Sequence, residues 1–201
     1  MRIKKHIVGP LQVNCYVVWD EPSMEAMVID PGGGAKKIAR TVADKGLALK
    51  GIVHTHDHMD HTMGSEKLRT MTGAPVMRHP ESPRTGFLIR RNRSGDGVAD
   101  LEDGSRISLG MTDFEVIHTP GHSRGSIVLY SEPVLFSGDL IFKGGIGRVD
   151  LKGGDMREMV NSLVRRIAHL PDDTDVLPGH GPPTTLGDER RKNPLFRRAA
   201  S

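Results

Sequence analysis

Cysteine is almost absent from this sequence: Cys15 is the single cysteine among 201 residues. An intramolecular disulfide is therefore excluded, which favours a protein of the reducing cytoplasm. The basic N-terminus superficially suggests a signal peptide, but polar residues, glycine and proline interrupt the sequence at 6–14 before an apolar segment forms. No apolar run approaches the length of a membrane span. We expect a cytoplasmic protein that does not associate with membranes.

Aromatic residues and excess charge are also scarce. Aromatic side chains make up 4% of the chain, and the net charge at pH 7 is only +3. A hydrophobic content of 36% nevertheless indicates a globular protein with an aliphatic core. Basic residues concentrate at 84–93 and 190–198, where they would form solvated surface or a docking surface for an anionic substrate. RNA is a less favoured partner.

The length fits one domain, and no repeat or linker divides the chain. Apolar patterns predict strands at 13–19, 26–30, 51–53, 75–77, 106–109, 113–118, 126–130 and 133–137, and helices at 35–45, 62–71 and 156–169. Their alternation predicts an α/β fold in a single domain over residues 1–201. The segment 80–104 is rich in Pro, Gly, Ser and Arg, which predicts a long loop that acts as a lid or arm, or as a contact in a homodimer.

Four residues that can bind metal lie within six positions of the sequence: His56, His58, Asp60 and His61. Side chains two residues apart in an extended segment point to the same side, so His56 and His58 could bind one ion together. If a helix begins near Asp60, then Asp60 and His61 point toward a neighbouring position, and the segment could serve two ions. Imidazole and carboxylate ligands suit zinc, iron or manganese. A chance cluster of surface histidines is the alternative, because the chain has ten histidines.

Three further side chains with metal-binding groups stand in turns that directly follow apolar strands. His122 and His180 each lie in a Pro-Gly-His turn, and Asp139 lies in a Ser-Gly-Asp turn. A lone histidine in a turn usually faces solvent. Three similar strand-to-turn arrangements in one chain instead indicate a common site, because functional residues are concentrated in loops at strand ends.

These motifs resemble those of the metallo-β-lactamase fold superfamily and, within it, of the glyoxalase II-like hydrolases. The resemblance covers nearly the whole chain and also includes Asn14, Tyr16 and the segment Val28-Ile29-Asp30-Pro31-Gly32. It implies a four-layer αββα sandwich with the site at one edge of the paired sheets. Asp30 matches a family aspartate that lies close to the metal site in a supporting role; a simple strand-end turn residue is the alternative.

The same resemblance implies two divalent metal ions with seven ligands. The first ion would be bound by His56, His58 and His122. The second ion would be bound by Asp60, His61 and His180. Asp139 would bridge the two ions, and Asp60 and Asp139 are the predicted catalytic residues. We expect zinc, with iron and manganese as alternatives. His54 could point toward this site or support it from a neighbouring position.

A two-metal site of this kind implies a hydrolase whose nucleophile is a metal-bridging hydroxide, since metal binding lowers the pKa of water to about 7. The glyoxalase II resemblance favours a thioester substrate such as S-lactoylglutathione, and Arg148 falls where that family holds a glutathione carboxylate. Asp150 departs from the family, which often has an aromatic glutathione contact there. The C-terminus departs too, because the helical substrate-binding domain is missing after His180. The thiol carrier therefore stays open.

Other classes are weaker alternatives. A persulfide dioxygenase would use one iron, but that class usually has Gly-His-Asp-Tyr where this chain has Gly179-His180-Gly181-Pro182. An RNA-processing nuclease of this fold would explain the arginines but generally has an added RNA-binding arm. A metallo-β-lactamase proper would be exported. A non-catalytic metal-binding protein is disfavoured, because all seven ligand positions are present.

Overall fold

Strand β2 (Val13–Trp19) is buried along almost its whole length in the computed structural model, which describes residues 1–82 and 98–200. Its side chains alternate between two hydrophobic clusters, with Val13, Cys15 and Val17 in one and Tyr16 and Val18 in the other. A strand with two buried faces must have structure on both sides. β2 therefore lies inside a layered fold.

The first sheet contains six strands in sequence order: β1 (Arg2–Val8), β2, β3 (Glu25–Ile29), β4 (Ala48–Val53), β5 (Val76–Arg78) and β6 (Val98–Asp100). The pairs from β1 to β3 are antiparallel, and the pairs from β3 to β6 are parallel. Helices α1 (Ala35–Asp44) and α3 (Ser65–Thr72) cover its outer face. Ile38 and Val42 of α1 and Leu68 of α3 are buried in the first cluster, against this sheet.

The second sheet also has six strands. Along the chain they are β7 (Arg106–Leu109), β8 (Thr112–His118), β9 (Ile127–Ser131), β10 (Val134–Gly138), β13 (Asp175–Pro178) and β14 (Thr184–Thr185), and their order in the sheet is β14-β13-β10-β9-β8-β7. The β10–β13 pair is parallel and the other pairs are antiparallel. A separate two-stranded hairpin, β11 (Ile141–Phe142) and β12 (Gly145–Ile146), follows β10.

Helices cover the outer face of the second sheet. Helix α4 (Met156–Asn161) continues as a π-helical segment (Ser162–Ile167), and α5 (Leu186–Lys192) and α6 (Pro194–Ala200) complete this layer. Met159, Leu163 and Phe196 pack from these helices into a third cluster with side chains of β9 and β10. The helix at 156 begins where predicted because the Asp155 side chain accepts hydrogen bonds from two backbone N–H groups of the first turn.

The two sheets face each other across the second hydrophobic cluster. Phe114 and Phe136 contribute from the second sheet and Tyr16 from the first, and the Tyr16 and Phe136 ring centroids lie 5.3 Å apart. Aliphatic side chains from strands of both sheets fill the remainder. The predicted four-layer αββα sandwich is therefore confirmed. Within residues 1–82 and 98–200, no helix is long and apolar enough to cross a lipid bilayer.

Two predicted elements differ from the structure. The loop predicted at 80–104 contains β6, which pairs in parallel with β5; residues 83–97, where the lid or arm was predicted, lie outside the described residues. The helix predicted at 62–71 is divided into α2 (Met59–Thr62) and α3. It breaks at Gly64, whose N–H donates to the carbonyl of Pro31 and where a Cβ would lie 2.4 Å from that oxygen.

Replacement of Phe136 tests the contact between the sheets. Phe136 is fully buried, so Phe136→Ala should lower the free energy of unfolding by about 3–5 kcal/mol through lost transfer energy and a cavity. Met111→Ala is the control, because Met111 is 90% exposed and should change stability by less than about 0.5 kcal/mol. Urea unfolding of the metal-free protein measures both. A loss below about 1 kcal/mol for Phe136→Ala would contradict this account of the core.

Candidate metal centre

The candidate ligands follow the carboxyl ends of strands that run in the same direction. His56 to His61 follow β4, and Asp30 follows the parallel neighbour β3. In the second sheet, β8 and β10 are both antiparallel to β9 and therefore parallel to each other, and β13 is parallel to β10. The turns after β8, β10 and β13 carry the remaining ligands: His122, Asp139 and His180. The strand directions thus bring distant residues to one edge of the sandwich.

The first cluster contains three histidines. His56, His58 and His122 each offer a ring nitrogen within 4.8 Å of the others. The His58 and His122 ring centroids lie 4.5 Å apart, and each lies 4.8 Å from the centroid of His56. The rings meet nearly at right angles, at 79° to 89°, so they do not stack. Edge-on rings with converging nitrogens are an arrangement that suits a shared cation.

The second cluster contains Asp60, His61 and His180. The Nε2 atoms of His61 and His180 lie 3.1 Å apart. The Oδ2 atom of Asp60 lies 3.4 Å from Nε2 of His180 and 3.7 Å from Nε2 of His61. Ligands held about 2.0–2.1 Å from one tetrahedral ion lie about 3.3 Å from each other, so these separations suit a common ion.

Asp139 lies between the two clusters. Its Oδ1 is 3.5 Å from Nε2 of His61, and its Oδ2 is 3.5 Å from Nε2 of His122 and 3.8 Å from Nε2 of His180. One carboxylate therefore faces both sets of ligands. The structure brings all seven predicted ligand residues to one site, with Asp139 where a bridging ligand would lie.

Buried polar atoms at this site have no hydrogen-bond partner within the described part of the chain. They are Nε2 of His56, Nε2 of His122 and Oδ1 of Asp139. Buried polar atoms are almost always hydrogen-bonded, because an unpaired one costs about 1–3 kcal/mol. Three such atoms that face one another at the predicted ligand positions fit a divalent cation, which would satisfy all of them.

Four of the five histidines hold Nδ1 against a neighbouring oxygen, which leaves Nε2 directed into the site. The oxygens are the Arg148 carbonyl for His122 at 2.7 Å, the Leu11 carbonyl for His180 at 3.1 Å, Oδ2 of Asp30 for His61 at 2.9 Å and Oγ1 of Thr55 for His56 at 3.1 Å. Carbonyl and carboxylate oxygens only accept, so Nδ1 donates to them. This arrangement fixes the tautomer that presents a lone pair on Nε2, as metal-binding histidines require.

The electrostatics of the site favour positive charge at the second cluster. Burial by itself would lower the pKa of His61, but the carboxylates of Asp30, Asp139 and Asp60 raise it to about 9. A hydrogen bond with His180 lowers the pKa of Asp60 to about 2. Burial lowers the pKa values of His56 and His122, so these rings are neutral and able to bind metal at neutral pH. Surroundings that stabilise a proton on His61 also stabilise a metal cation.

Asp30 supports the site and does not belong to either ligand set. Its Oδ1 accepts the Thr55 N–H at 2.8 Å, and its Oδ2 accepts the Thr55 hydroxyl at 2.6 Å and Nδ1–H of His61. Asp30, His56 and His61 also lie within 4.8 Å of one another. They do not form a third metal site, because both carboxylate oxygens of Asp30 and Nδ1 of each ring are already hydrogen-bonded.

The remaining predicted residues have different positions. His54 turns away from both clusters, and its Nε2 lies 2.6 Å from the hydroxyl of Ser65 in α3. The Arg148 guanidinium forms two hydrogen bonds with Asp150, of 2.6 and 2.7 Å, on the surface.

The sequence reasoning missed Thr55 and Leu11. Thr55 directly precedes the ligand motif, which was a usable signal, whereas Leu11 acts through its carbonyl and has no side-chain signature.

A single-domain αββα sandwich with adjoining His/Asp clusters at one edge defines a class of metal-dependent hydrolases. The chain belongs to the metallo-β-lactamase superfamily, whose sequence profile matches residues 8–180. It is a metallo-hydrolase of that superfamily, and its His/Asp clusters are divalent-metal sites of this fold.

Three relatives match nearly the whole chain. An uncharacterised protein of Aquifex aeolicus is 42% identical, with 97% of each chain covered. The hydroxyacylglutathione hydrolase GloC of Haemophilus influenzae is 31% identical, with 98% of each chain covered. A probable metallo-hydrolase of Bacillus subtilis, YqgX, is 33% identical with the same coverage. The similarity to glyoxalase II-like hydrolases predicted from the motifs is confirmed by the second of these.

Solved structures agree with this placement. The B3 metallo-beta-lactamase BLEG-1 is 35% identical with a TM-score of 0.83, and the alignment covers 97% of this chain and 99% of that one. ETHE1 from Myxococcus xanthus is 29% identical with a TM-score of 0.85, over 100% and 85% of the two chains. TTHA1623, solved in a di-iron-bound form, is 35% identical with a TM-score of 0.82, over 96% and 99%.

Gly179 provides a test of the site geometry. A Cβ at this position would lie 2.3 Å from Oδ1 of Asp139 and 2.7 Å from Cε1 of His61. Gly179→Ala should therefore displace ligands and weaken metal binding by at least about 10-fold, as ligand reorientation does elsewhere. Gly145→Ala is the control, because no described atom lies within 4 Å of its added Cβ. Metal titration of the stripped proteins measures both, and equal affinities would contradict the packing around Asp139.

Proposed function

We propose that this chain hydrolyses thioesters of small anionic thiols, with S-lactoylglutathione as the leading candidate. The observation that carries the proposal is the joint presence of two clusters sharing Asp139 and of similarity to a hydroxyacylglutathione hydrolase over 98% of both chains. The proposed ligands of the first ion are His56, His58 and His122. Those of the second are Asp60, His61 and His180. Asp139 is the proposed shared ligand.

The chain's own residues would organise the reaction as follows. When bound, two divalent ions supply a hydroxide nucleophile at neutral pH and stabilise negative charge on a carbonyl oxygen. Asp60 and Asp139 balance positive charge and are the proposed catalytic residues. Substrate would approach from the side of Asp60 and His180, whose side chains are 23% and 29% exposed, because His56, His61 and His122 are buried. A thiolate leaving group departs without strong help from an acid, so the site needs no dedicated proton donor.

Several finer features belong to the same proposal. Zinc is the proposed metal, with iron and manganese as alternatives that the imidazole and carboxylate ligands also accept. Arg148 is the proposed contact for a substrate carboxylate, since its backbone carbonyl is fixed to His122 at the centre. A cytoplasmic location is proposed because the only cysteine, Cys15, is a buried free thiol. Homodimer formation stays a prediction.

The decisive experiment is a substrate panel with the metal-loaded protein. We expect hydrolysis of S-lactoylglutathione and related thioesters, measured by thiol release, together with two bound ions per chain, measured by elemental analysis. A cephalosporin is included because BLEG-1 is named as a metallo-beta-lactamase. Oxygen uptake with a persulfide tests the alternative of a one-iron dioxygenase. Absence of thioester turnover with both sites loaded would reject the proposal.

Asp139→Asn tests the shared ligand. The amide cannot balance charge on two cations, so we expect at most one tightly bound ion and a loss of thioester turnover of at least about 100-fold. Asp113→Asn, on the exposed hairpin of β7 and β8, is the matched control and should leave both measurements unchanged. Retention of two ions with turnover within about threefold of the wild type would show that Asp139 is not the shared ligand.

Asp150→Asn tests the proposed role of Arg148. Asp150 already occupies the guanidinium through two hydrogen bonds, so it competes with a substrate carboxylate. Removing its charge should lower KM for S-lactoylglutathione by about two- to fivefold, a small effect because the pair is exposed. KM for the same thioester with esterified carboxylates should not change. Asp188→Asn, which removes an exposed ion pair in α5, is the control. Equal effects on both substrates would exclude Arg148 as the carboxylate site.

A further inference from the structure

Thr55 occupies a buried position between the two ligand clusters. It lies one residue before His56 and has a relative exposure of 1%. Its hydroxyl contacts both the Asp30 carboxylate at 2.6 Å and Nδ1 of His56 at 3.1 Å. The hydroxyl is not itself a predicted ligand, and it contacts Nδ1 of His56 and not the Nε2 atom that is directed into the site. The contacts suggest a role that acts through its neighbours.

The directions of these hydrogen bonds can be assigned from the groups involved. A hydroxyl has one hydrogen, and Thr55 donates it to Oδ2 of Asp30. Its oxygen must therefore accept from Nδ1–H of His56. Oδ2 of Asp30 also accepts Nδ1–H of His61 at 2.9 Å. A continuous chain of hydrogen bonds thus runs from His56 through Thr55 and Asp30 to His61, and it joins a ligand of each cluster.

We propose that Thr55 is a positioning residue that makes the orientation of His56 depend on Asp30, so that one buried carboxylate aligns a ligand in each metal centre. His61 depends on Asp30 directly, and His56 depends on it through the Thr55 hydroxyl. The proposal rests on the proposed metal ligands and not on the thioester substrate.

The surroundings of Thr55 fix its hydroxyl in place. Its carbonyl accepts the N–H of Ile127 at 2.8 Å, which ties it to the second sheet, and its N–H donates to Oδ1 of Asp30. Gly138 approaches so closely that a Cβ there would lie 2.5 Å from Oγ1 of Thr55. Gly138 directly precedes Asp139, so the backbone beside the proposed shared ligand passes close to Thr55. A valine at position 55 would keep the shape of the side chain and the backbone hydrogen bonds, and it would lose only the two hydrogen bonds of the hydroxyl.

Metal binding by Thr55→Val tests the proposal without reference to turnover. The purified protein is stripped of metal and titrated with Co2+, whose visible absorption reports the geometry of each site, and with Zn2+ in a calorimeter. Loss of the hydroxyl should weaken binding of the ion that His56 binds by about 10- to 100-fold, which is the usual effect of removing a hydrogen-bond partner of a metal ligand. The Co2+ spectrum of that site should change, and Thr55→Ser, which keeps the hydroxyl, should restore both. Asp30→Asn should weaken the binding of both ions.

Thr41→Val is a matched control, because Thr41 makes a buried hydrogen bond of 3.2 Å to Nε2 of His6, outside the metal centre. It should leave both affinities and the spectrum unchanged. Unchanged metal binding by Thr55→Val would overturn the proposal, and so would an equal weakening of both ions. If the wild-type protein does not hydrolyse thioesters in the substrate panel, the proposed substrate is rejected. The metal-binding result for Thr55→Val would still stand.

The wild-type protein offers a second measurement that does not depend on folding of a variant. With ¹⁵N-labelled histidine and Zn2+ at both sites, long-range ¹H–¹⁵N correlation reports which ring nitrogen carries hydrogen. We expect an Nδ1–H on both His56 and His61, with slow solvent exchange at His56 because Thr55 is buried. A His56 ring without hydrogen on Nδ1 would overturn the proposed chain of hydrogen bonds.

Discussion

The buried carboxylate of Asp30 is the charge around which the metal centre is arranged. A buried anion is costly unless hydrogen bonds or positive charge compensate it. Here the backbone N–H and hydroxyl of Thr55 and Nδ1–H of His61 provide that compensation. Asp30 itself has a φ of 50°, a left-handed conformation that aspartate tolerates better than most residues. The turn after β3 is therefore set by the same contacts that orient a ligand, so local backbone and site geometry are determined together.

A second set of hydrogen bonds holds the two sheets in register at the site. The Asn14 side chain donates to the carbonyls of Pro178 and Gly181, and the hydroxyl of Tyr16 donates to Pro178. The backbone N–H of Asn14 donates to Gly179 at 2.7 Å. These bonds connect β2 of the first sheet to the turn that presents His180. They give a physical reason for Asn14 and Tyr16 in the motif set, since these side chains fix the position of the His180 turn relative to the first sheet.

Local sequence patterns predicted an α/β fold and the candidate ligand residues, whereas the four-layer sandwich and the seven-ligand assignment followed from the resemblance to a known family. His122, Asp139 and His180 stand in short turns after apolar strands, and the segment from His56 to His61 follows β4 and continues into α2. Strand direction then brings these segments together. Other features depend on contacts that have no local pattern. β6 is a three-residue strand whose pairing with β5 defines it, and the carbonyl of Leu11 supports His180 whatever the side chain is. The ion pair of Arg148 with Asp150 was not predicted either, because residues two positions apart pair only in some backbone conformations.

The charges around the two clusters are unequal, and this gives Asp139 its importance. The second cluster contains Asp60 and has Asp30 behind His61, whereas the first contains three histidines backed by the neutral oxygens of Thr55 and Arg148. The attraction between a dication and a carboxylate falls with distance and is strong where water is excluded. Oδ2 of Asp139 lies 3.5 Å from Nε2 of His122 and brings a negative charge to the first cluster, whereas both carboxylate oxygens of Asp30 are already hydrogen-bonded to Thr55 and His61. In the proposed two-metal arrangement, Asp139 is the carboxylate that faces both clusters and would balance part of the charge of each ion, and Gly179 keeps the space in which that carboxylate lies.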